Sequence, residues 1–280
     1  MSTRPVGLPD FEDPPVVEVA LSVQFERLEA LKTAHLGVLW AEFRENFPKT
    51  EEQPPLDPVI EPFGVSIPPR IGVRVETFLA PPVPRIWFLN EAATELIQVQ
   101  TDRFMHNWRK TGKGTAYPRY ESIRGSFERE LQTFSRYVSR EKLGGLRFNQ
   151  CEVTYVNHII AGQGWDQHGH LSRIVNLWSA GGSSSLLPEP EDVRFRTRYV
   201  LRDADNKPIG RLHVDVQPAW MRSDNKPMYI LTLTARGGPR SADVAGVFEF
   251  LDVGRIWIVE SFAYLTTPEM WRVWRRIDVK

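Results

Sequence analysis

Hydrophobic and polar residues alternate along two short runs near the middle of the chain, 96–100 and 103–109, with only Thr101 and Asp102 between them. A period of two predicts strands, and a two-residue gap predicts a tight antiparallel turn. Gln98 and Gln100 then share one face, and Ile97 and Val99 the other. Residues 16–25 alternate in the same way, with Val19, Leu21 and Val23 opposing Glu18, Ser22 and Gln24. From Arg27 the period lengthens. Leu28, Leu31, Leu36, Leu39, Trp40, Phe43 and Phe47 recur at helical spacing, and Pro48 closes the pattern. A proline-rich stretch over 50–70 reads as a loop packed over the surface. Strands are expected at 72–79 and 85–89, with a turn at 80–84 between them. A second amphipathic helix follows through Tyr120, Ile123, Phe127, Leu131, Phe134 and Val138, and Gly144-Gly145 ends it.

The second half starts with a strand at 148–160. A short helix is expected within 171–178, and the GGSSS run at 181–185 reads as a flexible loop. Three alternating runs, 194–201, 209–217 and 228–236, are joined by DADNKP and SDNKP, which carry turn chemistry. A long helix capped at Ser241 then runs through Val244, Phe248, Leu251, Ile258, Phe262 and Leu265. Thr267-Pro268-Glu269 supplies a cap, a first-turn proline and a first-turn acid for a final helix carrying Trp271 and Trp274.

The pattern predicts an α+β protein: antiparallel sheets with helices packed on one face. The order strand, helix, strands, helix recurs as a possible tandem pseudo-repeat, in the manner of TATA-box-binding-protein-like (TBP-like) and helix-grip folds. Residues 1–15, rich in Pro and Asp, are expected to form a flexible arm. An N-terminal α+β unit would span 16–145 and a C-terminal unit 146–280, or the two would form one continuous domain.

Composition narrows the function classes. The chain has 280 residues, 35 of them Lys or Arg and 35 Asp or Glu, so the formal net charge is zero. That balance gives no support to wholesale coating of nucleic acid or attraction to an anionic membrane, and leaves room for a local basic stripe. One cysteine, Cys151, excludes an internal disulfide framework and a thiolate metal cluster. With no basic leader and no long apolar run, a soluble cytoplasmic protein is expected.

The strongest candidate surface lies in the C-terminal meander. Arg194, Arg196 and Arg198 share one face of the first strand; Arg211, His213, Asp215 and Gln217 share one face of the second; Thr232, Thr234 and Arg236 share one face of the third. If the opposite face is buried under helices, a broad polar face bearing several guanidinium groups remains, able to grip carboxylates or phosphates. A solvated face with local ion pairs is the plainer alternative. His213 and Asp215 could form a base and its orienter, but no GxSxG nucleophile accompanies them. Asp166, His168 and His170 have the residue types of a metal site without an HExxH helix or further cluster, so they are weak metal candidates. Gly112-Lys113-Gly114-Thr115 fails the Walker A spacing. No cofactor is expected.

Three stretches carry a family resemblance: Pro14-Pro15-Val16-Val17-Glu18-Val19; Gln98-Val99-Gln100 to Asp102-Arg103 with Asn107-Trp108-Arg109; and Leu265-Thr266-Thr267-Pro268-Glu269 with Trp274. In these the chain resembles an uncharacterised, sporadically distributed family of prokaryotic proteins of about this length. The resemblance brings no catalytic residues. It implies genes that travel with mobile elements, including defence or toxin–antitoxin loci. The leading expectation is a non-catalytic binding or adaptor protein with a protein partner on its Arg-bearing sheet face. Nucleic-acid or nucleotide binding through the same arginines, and a metal-dependent hydrolase, are the alternatives.

Overall fold

The computed structural model describes residues 4–64, 83–112, 114–179, 186 and 188–277. It is an α+β fold built on a nine-stranded antiparallel sheet. The strands of that sheet are β2 (Val16–Phe25), β3 (Lys49–Gln53), β4 (Arg85–Leu89), β5 (Glu95–Gln100), β6 (Arg103–Arg109), β7 (Phe148–Ile160), β8 (Phe195–Arg202), β9 (Pro208–Trp220) and β10 (Pro227–Gly237). Their spatial order is β3-β4-β5-β6-β2-β7-β10-β9-β8. In each half the first strand, β2 or β7, pairs with the last strand of the meander that follows it. The two halves join where β2 pairs with β7, Val19 opposite Tyr155.

Helices α2 (Tyr120–Arg140) and α3 (Val244–Leu265) lie on one face of the sheet, α2 over β6 and α3 over β7 and β10. The period-two pattern explains which face. Val19, Leu21, Val23 and Phe25 of β2, with Phe104, Val153, Leu233 and Val214 on its neighbours, are at most 1% exposed. They meet Phe127, Leu131 and Phe134 of α2 and Phe250, Leu251 and Ile258 of α3 within one continuous core. Full burial of each such side chain contributes about 1.5–3 kcal/mol. At Gly237 the helix comes so close that an added Cβ would lie 2.4 Å from the Phe250 ring and 2.2 Å from the Ile209 carbonyl oxygen.

Several local expectations shift. The stripe of apolar residues after Arg27 forms only a short helix, α1 (Thr33–Trp40), followed by turns through residue 46. Gly37 and the β-branched Thr33 and Val38 are weak helix formers, and Leu28 and Leu31 reach the core from turns. The proline-rich loop begins later than expected because Lys49–Gln53 is the edge strand β3. The helix expected within 171–178 is a 3₁₀ segment at His168–Arg173. Asp243, not Ser241, caps α3, its side chain accepting from the Gly246 N–H at 2.9 Å. Thr267 caps α4 (Pro268–Val273) as its sequence predicts. Within the N-terminal stretch expected to be loose, β1 (Asp10–Phe11) pairs with β11 (Arg276–Ile277), and Phe11 packs edge-on against Phe262. The strand expected at 72–79 and the loop at 181–185 lie outside the described residues.

Candidate functional site: a polar sheet face holding its own chain

The face of the sheet opposite the helices is polar and charged, buried over its centre and exposed towards β8, and its pattern follows from the same alternation. Strand register aligns Arg196 of β8 with Asp215 of β9, Thr232 of β10 with Asp215, and Arg236 with Arg211 on one side and Glu152 on the other. Arg194, Arg196, Arg198, Arg211, His213, Asp215 and Arg236 therefore share one surface.

They do not form a bare ladder. Residues 54–63 cross this surface, and Glu61 drops its carboxylate among Arg211, His213 and Arg236. His213 Nε2 donates to Glu61 Oε1 at 2.6 Å, Arg211 Nη1 to Oε2 at 2.7 Å, and Arg236 Nη1 to Oε1 at 3.3 Å. Arg236 also donates to Glu152, and the Arg211 guanidinium sits 4.7 Å from the Phe63 ring centroid. Burial pushes the Glu61 carboxyl up. The hydrogen bonds from His213 and Arg211, with the charges of His213 and Arg236, outweigh it and bring the pKa down to about 2. A carboxyl whose folded value is depressed stabilises the docked state above its ordinary 4.5, and that contribution is lost as pH falls from there through about 2. The amide resonances of Leu56 and Val59 should accordingly shift towards released-chain positions across that window. Unchanged shifts down to pH 2 would mean that Glu61 does not anchor the crossing.

The outer cations stay in solvent. Arg194 donates to Gln217 at 3.3 Å and Arg196 Nε to Asp215 at 2.6 Å, while Arg198 has no polar partner among the described residues. The His213–Asp215 pairing considered from sequence does not form a dyad, because His213 is bound to Glu61 and Asp215 to Arg196.

Of the three weak metal candidates, Asp166 is exposed, while His168 and His170 face groups of their own chain. His168 is buried, and its Nε2 lies 3.0 Å from the Ala219 carbonyl oxygen and 3.1 Å from that of Met228. His170 lies 4.0 Å from Glu189. Among the described residues no group of three or more His, Cys, Asp or Glu is placed to hold a metal ion. Cys151 is fully buried, and burial alone raises its thiol pKa.

The most ordered part of the polar face was not visible as a site in the sequence. Gln100, Arg103, Gln24 and Gln150 stand side by side on β5, β6, β2 and β7, a row set by the pairings Gln100–Arg103, Arg103–Gln24 and Gln24–Gln150. All four are at most 9% exposed. Gln100 accepts from the Leu56 N–H at 3.0 Å and donates to the Leu56 carbonyl at 2.9 Å. Gln24 does the same to Val59, at 2.9 and 2.5 Å. Arg103 donates to the Asp57 carbonyl at 3.0 Å and to the Gln24 side chain. Gln150 accepts from the Glu61 N–H at 3.1 Å. The available signal was polar residues of fixed reach, glutamines above all, at alternating positions of central strands. Central positions favour apolar or β-branched side chains unless something polar lies across them.

No helix of the described residues is long and apolar enough to cross a membrane. Compared with protein-family models, curated proteins and solved structures, the chain finds no match.

Proposed function

We propose that this protein is a non-catalytic binding protein that takes a polypeptide partner on the polar face of its sheet. One observation carries the reading: that face already holds a stretch of polypeptide, residues 56–61, by main-chain hydrogen bonds and a carboxylate among two arginines and a histidine. The partner chemistry that fits is an extended, acidic segment. Beside the crossing, Arg194, Arg196 and Arg198 line exposed strand surface that can steer such a segment in. Phosphates of a nucleic acid find a poorer fit, because Glu61 and Glu152 neutralise the inner arginines.

Pull-down from native cells tests the reading with wild type and an Arg196→Glu/Arg198→Glu double variant. Reversing both charges should weaken retention of the specific partner about tenfold, equivalent to roughly 1.4 kcal/mol. Undiminished capture of every partner would remove the sheet face from the reading. Retained material that is nucleic acid, released steeply as salt rises, would replace it with phosphate binding.

A further inference from the structure

The geometry points to a specific recognition rule for that surface: it reads the main chain of an extended segment plus one carboxylate, and residues 56–61 are a resident copy that an external segment of the same chemistry replaces. This rests on the polypeptide-binding reading and adds how that segment is read and what competes for its place.

The two glutamine clamps carry the rule. A side-chain carboxamide has one acceptor and one donor edge, so it can satisfy both main-chain groups of a single residue as a neighbouring strand would. Gln100 does this to Leu56 and Gln24 to Val59, three residues apart. Gln150 makes half of a third clamp at Glu61, and its buried Nε2 has no partner among the described residues. The clamps are held ready: Arg103 donates to Gln24, and Gln100 donates to Asp102 at 2.5 Å.

Distance fits an extended occupant. From Leu56 to Glu61 is five residue steps, about 16 Å at strand rise, and from β5 to β7 is three strand spacings, about 14 Å. The occupant therefore runs across the strands rather than beside them. Pro58, which lacks an N–H group, falls between the main-chain contacts at Asp57 and Val59.

Side chains between the anchors are not read. Ile60 is 61% exposed and Val59 37%. Apolar groups facing water contribute little to holding the crossing in place, so the segment is held by its backbone and by Glu61. An occupant with an acidic residue five positions after its first clamped residue meets every contact that the resident copy meets. The resident copy acts as a tethered competitor, so an external segment must displace an intramolecular one.

Fluorescence anisotropy with a labelled peptide of the sequence at 54–64 tests this on the 280-residue chain. Glu61→Arg places a cation against Arg211, His213 and Arg236 and should eject the resident copy, so the variant should bind the peptide at least tenfold more tightly than wild type. Glu61→Ala, which adds no charge, should move affinity the same way by a smaller step and serves if the arginine variant fails to fold. A peptide with Lys in place of its glutamate should lose binding to both variants, whereas serine in place of its Val and Ile should change affinity less than threefold. In wild type, saturating peptide should accelerate hydrogen exchange at the Leu56 and Val59 amides. Equal affinity for wild type and both variants, with those amides still protected, would overturn the competition and leave polypeptide binding standing. No peptide binding by any form, with cellular partners still captured through Arg196 and Arg198, would overturn the clamp rule itself.

Discussion

Replacing Phe104 with alanine is expected to cost about 3–5 kcal/mol of folding stability, the range for deleting a buried phenylalanine from a packed core. Phe104 is fully buried on β6 and sits at the meeting point of the aromatic layer between sheet and helix. Its ring stacks on Phe134 at 4.8 Å and on Phe127 at 6.1 Å, and Phe43 approaches at 6.4 Å. No single neighbour can swing in to fill the space, because Phe134 is also engaged by Phe25 at 5.7 Å and Phe127 by Phe248 at 5.8 Å. Urea denaturation at neutral pH measures the loss. A cost below about 1 kcal/mol, within the range of surface changes, would mean that the β6–α2 contact is not packed as described.

The second large effect concerns a polar pair inside the same layer. His106 of β6, with no exposed side-chain surface, places Nδ1 2.7 Å from Glu130 Oε2 on α2. Burial pushes the Glu130 carboxyl up, and the charge and hydrogen bond of His106 pull it back. His106→Leu removes that restraint and leaves an acid group in an apolar layer, at a cost of roughly 3 kcal/mol at pH 7. The sign with pH is fixed. A carboxyl whose folded value lies above its ordinary 4.5 destabilises only where the unfolded chain would ionise it, so the penalty should vanish below about 4.5 and grow as pH rises. His106→Leu/Glu130→Leu should recover most of the loss, since replacing both partners by apolar groups is often neutral. Equal destabilisation by the single and double variants would show that the pair is a net contributor rather than a matched liability.

Residues differ sharply in how much of this could be read from the chain. The faces of β9 and β10 were legible because one side of each strand lies against α3, which forces a period of two, and in β5 Gln98 and Gln100 fall opposite Ile97 and Val99 as expected. The extent of α1 was not, since burial of Leu28 and Phe43 imitates a helical stripe without requiring helical hydrogen bonds. The arginine face was legible as a surface and illegible as a site. Its decisive group, Glu61, stands 150 residues from Arg211 in a proline-rich stretch with no periodic signal. Nothing local marks a carboxylate that acts through tertiary contact alone. The glutamine row suffers the same limitation, since its members come from four separate strands and only the register brings them together.

The place of β2 in the sheet has a consequence for how the molecule is made. β2 is flanked by β6 and β7, both of which follow it in the chain, so Val19 must wait for Trp108 on one side and Tyr155 on the other. Ladders of such high contact order close late, after loop entropy has been overcome. Until then Val19, Leu21, Val23 and Phe25 form a sticky stripe on a nascent chain, the kind of species that engages chaperones. Once both ladders close, the same strand rivets the two halves together, and neither half can open without unzipping the centre.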